Sequence, residues 1–128
     1  MKLLLDTNIL LWAAADKLPA SVEKYILDES NELYYSSASI WEIVIKRGLN
    51  RPDFDVSPHL LNKSLVENGY LQIPISVEHT LLTGTLPMIH KDPFDRILVA
   101  QSIAEGISLL TTDERIAEYP APVILIKK

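Results

Sequence analysis

A three-layer α/β/α sandwich with a central, mainly parallel sheet is the fold class this sequence predicts. Continuous apolar runs such as KLLL (Lys2–Leu5) and ISLL (Ile107–Leu110) recur along the chain, separated by segments of helical periodicity. Strands without polar alternation belong in a sheet covered on both faces, and the intervening helices supply the right-handed crossovers that parallel pairing needs. Length adds a third observation. With 128 residues and no repeat, low-complexity run or Gly/Ser linker, the chain suits a single domain over 1–128 that buries roughly two-thirds of its surface.

The elements follow in order. Lys2–Leu5 is a buried strand and Thr7–Ala15 a helix. Pro19–Glu29 gives a second helix, with Val22, Tyr25 and Ile26 on its apolar face. Leu33–Ser36 is a short strand, followed by a helix from about Ile40 to Leu49 that Gly48 and Asn50 help to close. A loop rich in Pro and Asp leads to a helix over Pro58–Glu67, a strand over Leu71–Pro74 and a helix over Val77–Thr83. The Leu86–Lys91 loop then enters HKDPFDRILVAQ, which opens a helix running to about Glu105, before Gly106. Ile107–Leu110 and Val123–Ile126 are the last strands, and Lys127-Lys128 gives the final one a charged edge that resists further pairing.

Composition narrows the function classes. Hydrophobic residues at 48% and charged residues at 23% are ordinary for a globular chain. No cysteine is present, so disulfide frameworks and thiolate metal sites are excluded. The apolar N-terminal run is broken by Asp6 and Asn8, which argues against a signal peptide. No window approaches the length of a membrane span, so a cytoplasmic protein is expected. The net charge of −5 opposes long-range attraction to nucleic acid but leaves room for a nucleic-acid enzyme that offsets an acidic site with metal ions.

Acidic residues are placed where such a site would form. In an open parallel sheet, ligands bind beyond the carboxyl ends of the strands. Asp6 follows the first strand directly, and Asp113 follows the ISLLTT strand. Glu42 and Asp95 fall in the first turns of helices that return from the same edge. Brought to about 4–5 Å at an effective dielectric near 20, each like-charged pair costs about 3–4 kcal/mol. A cluster of that kind requires protonation or a cation, and oxygen ligands select hard ions such as Mg²⁺ or Mn²⁺. A metal so held suits phosphodiester hydrolysis by a water of lowered pKa.

Each acid also has a local use. Ser39-Ile40-Trp41-Glu42 matches a capping box, Asp113 could cap the short helix after it, and Asp6 could cap the helix that begins at Thr7. The two acids of HKDPFDR separate more cleanly. Pro93 suits the first helical position and makes Asp92 the helix cap, whereas Asp95 lies on the face shared with Leu98 and Val99 and turns inward. His59, His79 and His90 lack ligand spacing and are read as structural or surface residues, although His90 stands nearest the acids. Lys46 and Arg96 flank the acidic residues and are the candidate contacts to the phosphates of a nucleic-acid backbone. Trp12 and Trp41 lie in apolar patterns and read as core or subunit-interface residues.

Four blocks, MKLLLDTNILLW, SSASIWEIVIK, HKDPFDRILVAQS and LLTTDERI, occur in an order and spacing that resemble PIN-domain nucleases, specifically the VapC-like toxins of toxin–antitoxin pairs. The resemblance covers essentially the whole chain. It implies a Mg²⁺- or Mn²⁺-dependent endoribonuclease whose catalytic, metal-holding quartet is Asp6, Glu42, Asp95 and Asp113. Asn8 and Thr112 match polar positions beside that quartet, suited to orienting carboxylates or waters. The resemblance further implies an RNA substrate, a small cognate antitoxin and a homodimer. Three other readings are opposed by particular residues, and a receiver-type signalling domain would need an aspartate after a middle strand, where LYYSS has none. A non-catalytic PIN-like domain would bind RNA or protein only, and the intact quartet opposes it. LLLDTN is also similar to haloacid-dehalogenase-type phosphatases, but these want an acid where the chain has Asn8.

Overall fold

The computed structural model describes residues 1–127; Lys128, half of the expected charged terminal edge, lies outside them. Five strands form one sheet: β1 (Lys2–Leu5), β2 (Glu32–Ser36), β3 (Leu71–Ile73), β4 (Ser108–Thr111) and β5 (Val123–Leu125). Their order is β3-β2-β1-β4-β5, and every pairing is parallel. Helices α1 (Thr7–Ala14), α2 (Ala20–Leu27), α3 (Ser37–Gly48), α4 (Pro58–Glu67), α5 (Val77–Thr83) and α6 (Pro93–Glu105) make the crossovers. The fold is the three-layer α/β sandwich expected from the pattern of apolar runs.

Side-chain alternation along the strands divides the core in two. Leu3, Leu5, Tyr35 and Leu110 point to one face, where they pack with Ile9, Leu10, Val22, Ile43, Leu61 and Leu65 of α1–α4. Leu4 and Leu109 point to the other, against Leu98, Val99 and Ala100 of α6. Leu3, Leu4 and Leu5 are all fully buried. The strand KLLL therefore has no polar alternation because neither of its faces meets water.

Helix ends locate the functional edge. α6 begins where Asp92 accepts from the Phe94 N–H at 2.9 Å, with Pro93 at the first helical position. It ends at Gly106, whose φ of +65° is left-handed backbone that favours glycine. α3 begins earlier than the pattern predicts. Ser36, the last residue of β2, is its cap, accepting from the Ala38 N–H at 3.0 Å. Glu42 is consequently in the second turn rather than the first, and Ser39 is already inside the helix. The Ser39–Glu42 capping box therefore does not form.

Candidate active site

The sheet order reverses between β1 and β4, and the carboxyl ends of these two central strands open a crevice at that switch point. Asp6 stands at its floor, only 3% exposed. Leu5 pairs with Leu110, and the Asp6 N–H donates to the Leu110 carbonyl at 3.1 Å, which continues the ladder and sets Asp6 beside Thr111. The Thr111 hydroxyl donates to Asp6 Oδ2 at 2.6 Å. Asp6 occupies the cap position of α1 but makes no side-chain cap bond, so its carboxylate belongs to the crevice. Burial pushes its pKa up, the Thr111 hydrogen bond opposes that shift, and the charges of Asp113 and Glu42 add to it.

Glu42 reaches the crevice from α3 and is also buried. Its Oε2 pairs with Lys46 Nζ at 3.2 Å, one helical turn on, whereas its buried Oε1 has no hydrogen-bond partner among the described residues. Thr7 and Ser39 share a buried hydroxyl–hydroxyl bond of 2.8 Å, which ties the first turn of α1 to that of α3 and fixes the spacing of Asp6 and Glu42.

Asp95 enters from the first turn of α6. Burial, followed by the charges of Asp6, Asp92, Glu42 and Asp113, pushes its pKa up to about 8. Asp113 lies at the rim, its Oδ1 accepting from the Arg115 N–H at 2.8 Å and its own N–H donating to Thr111 Oγ1 at 3.0 Å. It therefore both ties off the turn before the short 3-10 segment Ile116–Glu118 and faces the other acids. His90 Nε2 stands 3.0 Å from Asp95 Oδ2 and 3.4 Å from Asp113 Oδ2.

Asp95 and Asp113 thus meet beside His90, Asp6 and Glu42 lie close enough for their charges to act on Asp95, and Asn8, Thr112, Arg96 and Trp41 are placed differently. Asn8 is exposed on the first turn of α1. Thr112 is displaced by its neighbour: strand alternation turns Thr111, not Thr112, toward Asp6. Arg96 does not face the crevice. Its guanidinium donates to the carbonyls of Thr83, Leu86, Pro87 and His90 and to the Tyr119 hydroxyl, so the expected phosphate contact is replaced by a clamp on the loop before α6. Lys46 stays beside the site, paired with Glu42. Trp41 is 58% exposed and meets the Phe94 ring edge-on at 5.2 Å, so it is not a core residue. Thr111 is the site residue that the sequence pattern did not single out, and His90, read as structural or surface but nearest the acids, stands among them.

The donor set fits a hard divalent cation. Its carboxylate oxygens come from separate segments, one of them is buried without a partner among the described residues, and the pKa values of two of the acids are raised. Nitrogen also stands close: His90, Asp95 and Asp113 offer ligand atoms within 4.8 Å of one another.

A parallel α/β sandwich with acidic side chains at its switch point is an architecture that many functions share, and comparison with known proteins resolves the family. The PIN domain family model matches residues 3–122, and the chain belongs to that family. No curated protein matches the chain. Among solved structures it resembles VapBC2 from Rickettsia felis bound to a promoter DNA fragment, with a TM-score of 0.74 and 18% identity over 99% of this chain and 100% of that one. It also resembles DNA-bound VapBC from Salmonella typhimurium, at 0.68 and 16% over 97% of each chain. VapBC-1 from nontypeable Haemophilus influenzae follows at 0.65 and 15% over 98% of each. No helix among the described residues is long and apolar enough to cross a membrane.

Proposed function

We propose that this protein is a VapC-like endoribonuclease that hydrolyses RNA phosphodiester bonds with a divalent cation and is restrained by a cognate antitoxin. The observation that supports it is the grouping of Asp6, Glu42 and Asp95 around one largely buried crevice, with a Glu42 oxygen left without a partner among the described residues. Asp6, Glu42 and Asp95 would hold Mg²⁺ or Mn²⁺, with Asp113 as a fourth carboxylate at the rim. When bound, the cation supplies a water of lowered pKa and offsets charge on the phosphate. Thr111 keeps Asp6 oriented, and Lys46 offers an ammonium near the path of the RNA backbone. Partner binding draws support from exposed apolar side chains on α3 and α5, including Trp41, Val44, Ile45 and Leu81, which suit a homodimer.

The reading is tested with purified protein and RNA in Mg²⁺ or Mn²⁺, with and without chelator, beside Asp6→Asn. Cleavage should require metal and fall at least about 100-fold in the variant, the upper end of losses seen when mere supports of metal ligands are removed. Undiminished cleavage by Asp6→Asn would overturn the assignment. A covalent aspartyl phosphate formed from small phosphoesters would point to the phosphatase class.

A further inference from the structure

His90 is held more firmly than a loop residue needs to be. Its backbone N–H donates to the Tyr119 hydroxyl at 2.8 Å, and that hydroxyl returns to the His90 carbonyl at 3.3 Å. Tyr119 is 3% exposed, and Arg96 braces it with a 3.2 Å bond to the same hydroxyl. The imidazole is fixed as well. The Asp92 N–H points at His90 Nδ1 at 3.2 Å, making Nδ1 an acceptor. In a neutral ring the proton is then on Nε2, the nitrogen that faces Asp95 and Asp113.

Two roles fit the position, and the Asp92 N–H decides between them. To ligate a cation through Nε2, a neutral His90 would carry its proton on Nδ1. That would set two N–H donors against each other at 3.2 Å. The Asp92 backbone cannot turn away, because Asp92 caps α6 through Phe94. Donation from Nε2–H keeps every partner matched.

We propose that His90 is a positioning residue: its Nδ1 accepts from the Asp92 N–H and its Nε2–H donates to Asp95 and Asp113, holding both carboxylates in place for a divalent cation without ligating it. The cation part rests on the metal-nuclease reading above; the hydrogen-bonding part does not. Asp113 is thereby held at both oxygens, by His90 and by the Arg115 N–H. It keeps a fixed place at the rim, and Glu42 Oε1, which has no hydrogen-bond partner among the described residues, is left for direct contact.

Two measurements on the full chain test this. Histidine ¹⁵N NMR of the metal-free protein should give the Nε2–H tautomer for His90; the Nδ1–H tautomer would overturn the proposal. Mn²⁺ titration by EPR should then show the wild type binding without a histidine ¹⁴N coupling in its echo-modulation spectrum. His90→Ala should weaken Mn²⁺ by about 10–100-fold, and His90→Gln, which restores an N–H donor, should recover much of that loss. A ¹⁴N coupling that disappears in His90→Gln, or unchanged affinity in both variants, would overturn the proposal. A wild type that binds no Mn²⁺ would instead remove the metal-nuclease reading and the cation part with it, leaving the tautomer result to decide the rest.

Discussion

Thr111 donates to a carboxylate whose pKa burial raises, and the bond is short at 2.6 Å. A hydrogen bond to the charged form of a buried acid favours ionisation, so this hydroxyl helps Asp6 exchange its proton for a cation. Thr111→Val keeps the shape and deletes the donor, and it also takes an acceptor from the Asp113 N–H. Mn²⁺ affinity should fall about 10–100-fold, with the loss greatest at low pH because the Asp6 pKa rises further. Thr111→Ser should restore binding. Equal Mn²⁺ titration curves for wild type and Thr111→Val across the pH range would show that Asp6 is oriented without this bond. The residue was hidden in the sequence for a simple reason. Two threonines end the strand run, and the face on which each lies depends on a one-residue register that only pairing with β1 settles.

At the scale of elements, α6 carries the clearest division of labour. Asp92 caps it and Asp95, one turn further on, enters the crevice, with both acids near the positive end of the helix dipole. Asp92→Ala should cost about 1 kcal/mol, within the usual 0.5–2 kcal/mol range for losing a cap, whereas Asp92→Asn should cost a few tenths. Urea unfolding of the metal-free variants measures both; equal losses would show that the charge rather than the cap carries the effect. The Asp-Pro pair made this helix start legible, as Gly106 did its end. The start of α3 was less so, because the Ser36-Ser37-Ala38-Ser39 run offers several possible caps and the one used is the last residue of β2. Sheet membership followed from unbroken apolar runs, whereas the sequence gives no sign of the contacts that Arg96 makes instead of the expected phosphate contact. Its partners are mostly backbone carbonyls of a loop, and a carbonyl has no signature in the sequence.

For the molecule as a whole, the crevice opposes stability in the absence of metal. Folding brings Asp6, Glu42, Asp95 and Asp113 together in a chain whose net charge is already −5. Asp95 passes from an ordinary value of 3.8 to about 8, so the folded state holds this proton more tightly than the unfolded chain does. The stability it contributes is complete below pH 3.8 and drains as pH rises toward 8, where the folded carboxyl at last ionises. Asp6, also raised, acts in the same direction. Metal-free protein should therefore melt lower at pH 9 than at pH 6, by several degrees, since each kcal/mol shifts the Tm of a small domain by about 2–8 °C. Asp95→Asn cannot ionise and should flatten that slope. Mn²⁺ should reverse it, because ligands must lose their protons to bind and binding then tightens with pH. Differential scanning calorimetry at a series of pH values, with chelator and with Mn²⁺, reads all three effects. A metal-free Tm that rises from pH 6 to pH 9 would contradict the clustering of carboxylates on which the proposed site depends.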